Sequence, residues 1–168
     1  DMPGSQGATD IWMSKLEGSS WSKPVNVSDV NTEGREMFPF IGKDGTLYFS
    51  TDGFVGLGGL DIYRATASGD ASFDEPQNMM YPLNTNHDDF GFIINQPQTE
   101  GYFSSNRDSE TSVGNDDVYR FKMDIPFKPK FFTVSGCVKS QSQQIVSNSK
   151  VDLINTKTGE TVMSKMSG

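Results

Sequence analysis

The chain has 168 residues, a formal net charge of −8 and a sequence pI of about 4.5. Lysines and arginines are scattered without a basic stripe, which excludes the usual electrostatic footprint of nucleic-acid binding. One cysteine, Cys137, excludes an internal disulfide framework and a thiolate zinc site. No apolar run approaches the ~18 residues of a membrane-spanning helix.

The most informative feature is a sequence motif that recurs along the chain. Residues 44–64 read as a strand, a glycine-rich turn and a second strand, and residues 99–120 repeat that order. A partial copy occupies residues 7–12. The landmarks are 51 to 54 residues apart: Asp10 and Asp61, Asn31 and Asn84, Tyr48 and Tyr102. A unit of roughly 50–55 residues suits one four-stranded β-propeller blade better than a helical repeat.

In chain order, the first predicted strands cover 10–14 and 21–27, and Pro24 places the second at a sheet edge. The next unit is predicted as four strands, over 36–41, 46–51, 60–65 and 73–79. The following unit has three predicted strands, over 88–95, 101–105 and 117–123. In it Phe90 and Phe92 match Phe38 and Phe40. No outer strand of the Trp21 or Phe73 type follows, so we expect that strand to come from a segment outside this sequence.

The predicted fold class is all-β, and the predicted organisation has three parts. Residues 1–124 form the propeller portion, with the end of one blade, a blade over 28–79 and a closing blade over 84–124. Residues 125–130 alternate prolines with other residues and predict a stiff linker. Residues 131–168 change period and predict the beginning of a second β module. The chain starts without an initiator Met, which is typical of a piece of a longer protein.

These motifs resemble known families. Asp44-Gly45, Leu47–Ser50 and Asp61–Tyr63 together resemble the WD40-like repeat of TolB-type β-propellers. The longer form resembles propellers of the OmpA-like group of envelope lipoproteins, through Trp21-Ser22-Lys23-Pro24, Asn31-Thr32-Glu33-Gly34 and Gly56-Leu57-Gly58-Gly59. The tail, at Thr133–Gly136, Val151–Asn155 and Thr158–Glu160, resembles the opening of a carboxypeptidase-regulatory-like β-sandwich.

The order of propeller then sandwich occurs in such envelope proteins, including a peptidoglycan-linked component of type IX secretion. There, helical repeats precede the propeller and a peptidoglycan-binding OmpA-like domain follows the sandwich. The resemblance therefore implies a periplasmic, outer-membrane-associated, non-enzymatic scaffold with envelope proteins as partners. Contact with peptidoglycan would run through a domain outside this sequence. Two alternatives stay open: a carbohydrate- or peptidoglycan-binding propeller, and an accessory domain of an envelope hydrolase.

The candidate sites each have a structural interpretation. Residues 53–59 are glycine-rich, but a strand rather than a helix follows, so the pattern favours a turn over a phosphate cradle. The only histidine, His87, has no Gly-x-Ser-x-Gly partner and is interpreted as a turn residue. We expect no catalytic residue and no cofactor.

A calcium site would draw on oxygen ligands from the aspartates, here Asp44, Asp52, Asp61, Asp108, Asp116 and Asp117. Of these, Asp116 and Asp117 form the best pair. Because Asp10, Asp61 and Asp117 recur at one repeat position, the pattern favours hydrogen bonding to the turn instead. The aromatic residues that recur by position are expected to pack between blades: Trp12, Trp21, Tyr48, Phe49, Tyr63, Phe73, Tyr102, Phe103 and Tyr119. Cys137 is expected to face the sandwich core.

Overall fold

The computed structural model describes residues 2–110, 112–123, 137–154 and 161–167. Regular structure in these residues is entirely β, with no helix among them, which confirms the predicted all-β class. The chain divides into two compact units, Asp1–Pro129 and Lys130–Gly168. The predicted linker at 125–130 lies outside the described residues.

The first unit consists of short antiparallel strands. They are β1 (Trp12–Met13), β2 (Leu16–Glu17), β3 (Ser20–Trp21), β4 (Val25–Asn26), β5 (Glu36–Ile41), β6 (Leu47–Thr51), β7 (Asp61–Ala65), β8 (Ala67–Gly69), β9 (Ser72–Phe73), β10 (Gln77–Asn78), β11 (Asp89–Ile94), β12 (Glu100–Ser105) and β13 (Asp117–Lys122). The first sheet pairs β1 with β4, the second has the order β10-β7-β6-β5, and the third has the order β11-β12-β13. Two small hairpins, β2-β3 and β8-β9, stand beside them.

The three inner strands of the second sheet lie within a residue of their predicted positions, but the outer strands are shorter than predicted. Strand β10 covers Gln77–Asn78 instead of 73–79, and β4 covers Val25–Asn26 instead of 21–27. Pro24 and Pro76 lack the N–H that a ladder needs, so pairing starts only after each proline. Trp21 and Phe73 lie in the small hairpins instead. The described residues form separate sheets and show no closed propeller.

The second sheet is covered on both faces, which explains why every residue of β6 is buried. Successive side chains on a strand point to opposite faces. Leu47 and Phe49 pack toward the first sheet, in a cluster with Ile11, Val27, Val30, Tyr63 and Ala65. Tyr48 points the other way, toward the third sheet, in a cluster with Ile62, Leu83, Phe92, Ile94 and Phe103.

At the outer edge of the second sheet, a buried asparagine side chain makes the hydrogen bonds that a neighbouring strand would otherwise make. The Asn84 side chain is fully buried; its Oδ1 accepts from the Ile62 amide at 2.8 Å and its Nδ2 donates to the Ile62 carbonyl at 2.8 Å. The same Nδ2 donates to Asn78 Oδ1, and Asn78 Nδ2 donates to Asp61 Oδ2. We call this set, Asp61, Ile62, Asn78 and Asn84, the second asparagine cage.

The first sheet contains the same arrangement. Asn31 bonds both the amide and the carbonyl of Ile11, at 2.8 and 2.9 Å, and its Nδ2 also donates to Asn26. Asn26 in turn donates to Asp10 Oδ2 at 2.7 Å. These residues, Asp10, Ile11, Asn26 and Asn31, form the first asparagine cage. Each cage fixes the chain where it leaves the outer strand of one sheet and crosses to the next.

A buried carboxylate follows each crossing and starts the inner strand of the next sheet. Glu36 accepts hydrogen bonds from the Thr32 amide, the Thr32 hydroxyl and the Thr51 hydroxyl at 2.6–2.9 Å. Asp89 accepts from the Thr85 amide and hydroxyl, and pairs with Arg107 at 2.5 Å. Buried charged groups are tolerated only with such partners.

One repeat position holds a glycine in the second repeat and an arginine in the third. Gly53 of the second repeat lies 54 residues before Arg107 of the third. A Cβ at Gly53 would lie 1.7 Å from Thr32 Oγ1, so no side chain fits there. In the third repeat Arg107 stands at this position, pairs with Asp89, and also donates to the Pro82 and Leu83 carbonyls. Its guanidinium lies 4.8 Å from the centre of the Phe103 ring, a cation–π contact.

In the second unit the described residues form one hairpin. Strand β14 (Lys150–Ile154) pairs antiparallel with β15 (Thr161–Met166), and an isolated bridge joins Lys139 to Ile145. A sandwich is not visible in these residues and stays a prediction. Cys137 is exposed, so the expectation that it faces a core is wrong. Every described side chain of β14 is exposed too, because a two-stranded hairpin offers little surface to pack against.

Truncating the aromatic core should destabilise the first unit. Phe49 and Phe103 are 1% and 4% exposed, so Phe49→Ala and Phe103→Ala should each lower the free energy of unfolding by about 3–5 kcal/mol. Tyr102→Ala, on a side chain 44% exposed, is the matched control and should cost far less. Denaturant melts check this, and equal midpoints for all three variants would contradict the packing described above.

Removing the asparagine that bonds Ile62 should be as damaging as removing a core side chain. Asn84→Ala leaves the Ile62 amide and carbonyl without their side-chain partner, and should lower the free energy of unfolding by about 2–4 kcal/mol. Asn86→Ala, two residues along on an exposed side chain, should change it by less than about 0.5 kcal/mol. Thermal or urea unfolding measures both, and indistinguishable variants would refute the role given to the cage.

Candidate interaction site

The inner strands of the second and third sheets share a bulge. The register of β5 against β6 shifts between Met37 and Phe40, and that of β11 against β12 shifts between Phe90 and Ile93. At each bulge one residue has positive φ, Phe38 at 53° and Gly91 at 66°. Bulges bend a strand and re-aim the side chains that follow.

The bulges correct one sequence match. The coincidence of aromatic residues predicts that Phe38 and Phe40 match Phe90 and Phe92, at an offset of 52. In the structure, Phe38 is instead equivalent to Gly91, and Phe40 to Ile93, at an offset of 53. These residues occupy the same places in the two shifted ladders. Phe38 itself remains 43% exposed and contacts Phe90 in a tilted arrangement, with ring centroids 5.1 Å apart. A bulky residue at positive φ is rare and is held there only by its surroundings.

Two adjoining hollows lie where the ends of β5 and β11 meet. The larger, of about 450 Å³, is lined by Phe40, Ile93, Ile94, Asn95, Glu100, Gly101 and Tyr102. The smaller, of about 300 Å³, is lined by Phe40, Ile41, Gly42, Lys43, Ile94, Asn95, Gln96 and Gln98. They share Phe40, Ile94 and Asn95, and we call them together the inner-strand groove. Its floor is apolar, and its exposed apolar side chains include Ile41 at 53% and Ile93 at 47%.

Hydrogen bonds between two turns hold the rim of the groove. Lys43 Nζ donates to Gln96 Oε1 at 3.0 Å, and Gln98 Nε2 donates to Asp44 Oδ2 at 2.6 Å. Burial alone would raise the pKa of Asp44, but hydrogen bonds from Gln98 and Thr46 outweigh it and hold that pKa below its ordinary value. The carboxylate therefore stays ionised and keeps the two turns together at neutral pH.

The open edge of β5 is poorly suited to pairing with another strand. Pro39 lies within β5 and has no N–H to donate, and the bulge interrupts the ladder beside it. This edge therefore offers the side chains that line the groove rather than a row of main-chain hydrogen-bonding groups.

The equivalent tyrosines of the second and third sheets have different surroundings. Tyr48 is 1% exposed beneath Phe92, with ring centroids 4.9 Å apart, whereas Tyr102 is 44% exposed on the groove rim. Tyr102 and Trp21, which is 69% exposed, therefore do not fit the expectation that the recurring aromatics pack between blades. Tyr102 differs from Tyr48 because the third sheet has no described sheet against its outer face.

The aspartates considered for calcium, and Asp10 at the same repeat position, have different surroundings. Asp10, Asp61 and Asp117 each accept a hydrogen bond from the amide four residues earlier, which confirms their role in the turns. Asp52 accepts from the Arg35 amide and guanidinium. Asp108 and Asp116 are exposed. In residues 2–110, 112–123, 137–154 and 161–167, no three His, Cys, Asp or Glu side chains come close enough to hold a metal ion.

The glycine-rich loop is a turn, as predicted. A Cβ at Gly58 would lie 2.2 Å from the His87 carbonyl oxygen, and one at Gly59 would lie 2.1 Å from Asp88 Oδ1. The loop thus lies directly against the residues that begin the next repeat, and strand β7 follows it. His87 lies in the segment that begins the next repeat, where its amide donates to Thr85 Oγ1.

Sequence reasoning missed the residues that hold the groove in place. In the sequence, Asn31 and Asn84 serve only as a repeated landmark and predict no role in holding a sheet edge. Their recurrence at an offset of 53, each followed by threonine, was the available signal. Arg107 gave no such signal, because the second repeat has glycine at that position.

Comparison with protein-family models, curated proteins and solved structures found no match for the chain. In the part of the chain that the structure describes, no helix has the length and apolar character needed to cross a membrane.

Burial of Tyr48 beside the groove should be visible as an alkaline titration. Burial, together with the negative charge of Asp44, raises the pKa of Tyr48 from 10.0 to about 12. The unfolded chain loses this proton first, so the stabilisation is complete below pH 10 and is lost as pH rises toward 12. Ultraviolet absorbance should show that Tyr48→Phe removes the last tyrosine ionisation step. Persistence of that step in the variant would contradict the assignment.

Proposed function

We propose that the chain is a non-enzymatic scaffold of the cell envelope that presents the inner-strand groove to a protein partner. On this proposal its stacked sheets are blades of a β-propeller, and it acts in the periplasm within an outer-membrane- or peptidoglycan-associated secretion assembly. The observation that carries the proposal is the groove itself, an exposed apolar concavity held in shape by bulged strands and paired turns.

Support for the propeller comes from the order of the sheets. Each sheet is antiparallel, each follows the previous one in sequence, and the second is packed on both faces by its neighbours. The same cage recurs in the first two sheets. The resemblance of the repeated motif to TolB-type propellers supports the same interpretation, and the envelope location depends on that resemblance alone.

Support for binding rather than catalysis comes from how the ionisable groups are used. Around the groove, Lys43 bonds Gln96, Asp44 bonds Thr46 and Gln98, and Glu100 pairs with Arg120. Each charge therefore already has a structural partner. A catalytic acid or base needs instead a free group within hydrogen-bond reach of a substrate.

Support for a protein partner comes from the apolar floor and the exposed side chains on its rim. Contiguous apolar surface with a polar border is typical of protein-binding sites. The groove has that character, with Ile41, Ile93 and Phe40 surrounded by Asn95, Gln96 and Gln98.

One observation favours a second candidate function, carbohydrate or peptidoglycan binding. The ring of Tyr102 is 44% exposed beside Asn95 and Glu100 on the rim of the larger hollow. An exposed aromatic face next to amide and carboxylate groups offers both stacking and hydrogen bonds to a sugar.

Affinity capture with groove variants tests the protein-binding proposal. The immobilised chain should retain a specific partner, at a defined stoichiometry, from an envelope extract. Ile41→Asp and Ile93→Asp should each reduce that retention at least tenfold, because a carboxylate in an apolar contact cannot be desolvated cheaply. Val55→Asp, on a loop side chain 97% exposed and outside the groove, is the matched control and should retain the partner fully.

The same proteins separate the two functions. If the groove variants retain the partner as well as Val55→Asp does, the proposed site is wrong. If wild type sediments with purified peptidoglycan while Tyr102→Ala does not, and no protein is retained, the carbohydrate function replaces the proposed one.

A further inference from the structure

Among the described residues, the third sheet has no counterpart of the outer strand of the second sheet. In the second sheet β10 pairs with β7, with Asn78 opposite Tyr63 and Gln77 opposite Arg64. In the first sheet β4 pairs with β1 in the same way, with Asn26 opposite Trp12. In the third sheet β13 is the edge strand among the described residues, and no described strand pairs with its outer side.

The edge of β13 has the same register as the edges that carry cages. Val118 lies opposite Ser104 just as Ile62 lies opposite Ser50. The amide and carbonyl of Ile62 face away from β6 and bond to Asn84, so those of Val118 face away from β12 toward the open edge. Asp117, one residue before Val118, takes the position of Asp61 and Asp10.

Within the described part of the chain, the groups on this edge have fewer partners than their equivalents in the first two sheets. Asp61 is completely buried and accepts from Asn78, whereas Asp117 is half-buried and accepts from the Val113 amide alone among the described residues. Val118 is 73% exposed, and no described asparagine lies beside it as Asn84 lies beside Ile62. The third repeat therefore presents a cage with one side missing.

The first two cages indicate which residues a segment would need in order to complete the third. In both, a proline comes two residues before the first asparagine, as in Pro24-Val25-Asn26 and Pro76-Gln77-Asn78. The second asparagine follows five or six residues later. The residue after the first asparagine, Val27 or Met79, donates its amide to the carbonyl of Ile11 or Ile62 at 3.1 or 3.0 Å.

We propose that the outer edge of β13 binds an extended segment of a partner protein with the pattern Pro-x-Asn followed, five or six residues later, by a second asparagine. The first asparagine would donate to Asp117, and the second would bond the amide and carbonyl of Val118. Main-chain pairing with Tyr119 and Arg120 would supply affinity, and the two asparagines would supply specificity. This site is separate from the inner-strand groove and goes beyond the function proposed for it.

A synthetic peptide with the sequence of residues 73–85 contains the required pattern and is the probe. Fluorescence polarisation with the labelled peptide should show saturable binding to the full chain. Replacing both asparagines of the peptide with alanine should weaken binding at least tenfold. Without them, Asp117 and the amide and carbonyl of Val118 would lose their partners in the complex. Asp117→Ala in the protein should weaken binding about tenfold, while the matched control Asp116→Ala should leave it unchanged.

A second measurement keeps the test decisive if Asp117→Ala does not fold. On wild type, the amide resonance of Val118 should shift when the peptide is added and should not shift with the alanine peptide. Absence of binding, equal binding by both peptides, or equal losses in Asp116→Ala and Asp117→Ala would overturn the proposal. Light scattering checks for a dimer. If the chain is a dimer and binds the peptide only when the dimer dissociates, the edge is filled by strand exchange between copies, and the proposal is also overturned. Ile41→Asp should not affect peptide binding, so failure here is distinct from failure of the groove.

Discussion

The first unit depends on a buried asparagine side chain that replaces a backbone partner. An asparagine amide carries one acceptor and two donors, so Asn84 can bond both the N–H and the C=O of Ile62 and still reach Asn78. A strand of only two residues, such as β10, could not hold the edge of the sheet by its ladder alone. The cage lets the chain leave that short strand and cross to the next sheet with no buried backbone group of Ile62 unpaired.

The crossing then fixes the inner strand and, through it, the groove. Thr85 follows Asn84 directly and bonds Asp89, the first residue of β11, just as Thr32 follows Asn31 and bonds Glu36 at the start of β5. The two inner strands therefore begin at equivalent points and carry their bulges at equivalent places. Their far ends meet at the groove, where Gln98 and Asp44 join the two turns. Buried or hydrogen-bonded residues therefore support this surface at both ends of the inner strands.

Much of this architecture could be predicted from the sequence, because the repeat displays it twice. The alternation of Leu47, Tyr48 and Phe49 and the Asp44-Gly45 turn predict β5 to β7 almost to the residue. The extent of the outer strands could not be predicted, since Pro24 and Pro76 limit pairing in a way that depends on the neighbouring edge. The bulges were missed for a related reason: an extra residue in one strand leaves the letters aligned at the wrong offset, as with Phe90 and Phe38.

The groove was beyond sequence reasoning for a different reason. Tyr48 and Tyr102 occupy the same place in the repeat, yet one is buried and the other exposed, because exposure is set by the neighbouring sheet and not by the motif. Likewise, Gly53 and Arg107 occupy equivalent repeat positions, yet Thr32 leaves no room for a Cβ at Gly53, whereas Arg107 pairs with Asp89. Such effects depend on pairs of residues that are distant in sequence.

Hydrogen exchange at three equivalent amides tests the central claim most directly. If asparagine side chains stand in for strand partners, the amides of Ile11 and Ile62 should exchange slowly, close to the rate set by global unfolding. The Val118 amide, in the same position with no asparagine beside it among the described residues, should exchange orders of magnitude faster in the free chain. Equal exchange at Ile62 and Val118 would contradict the account.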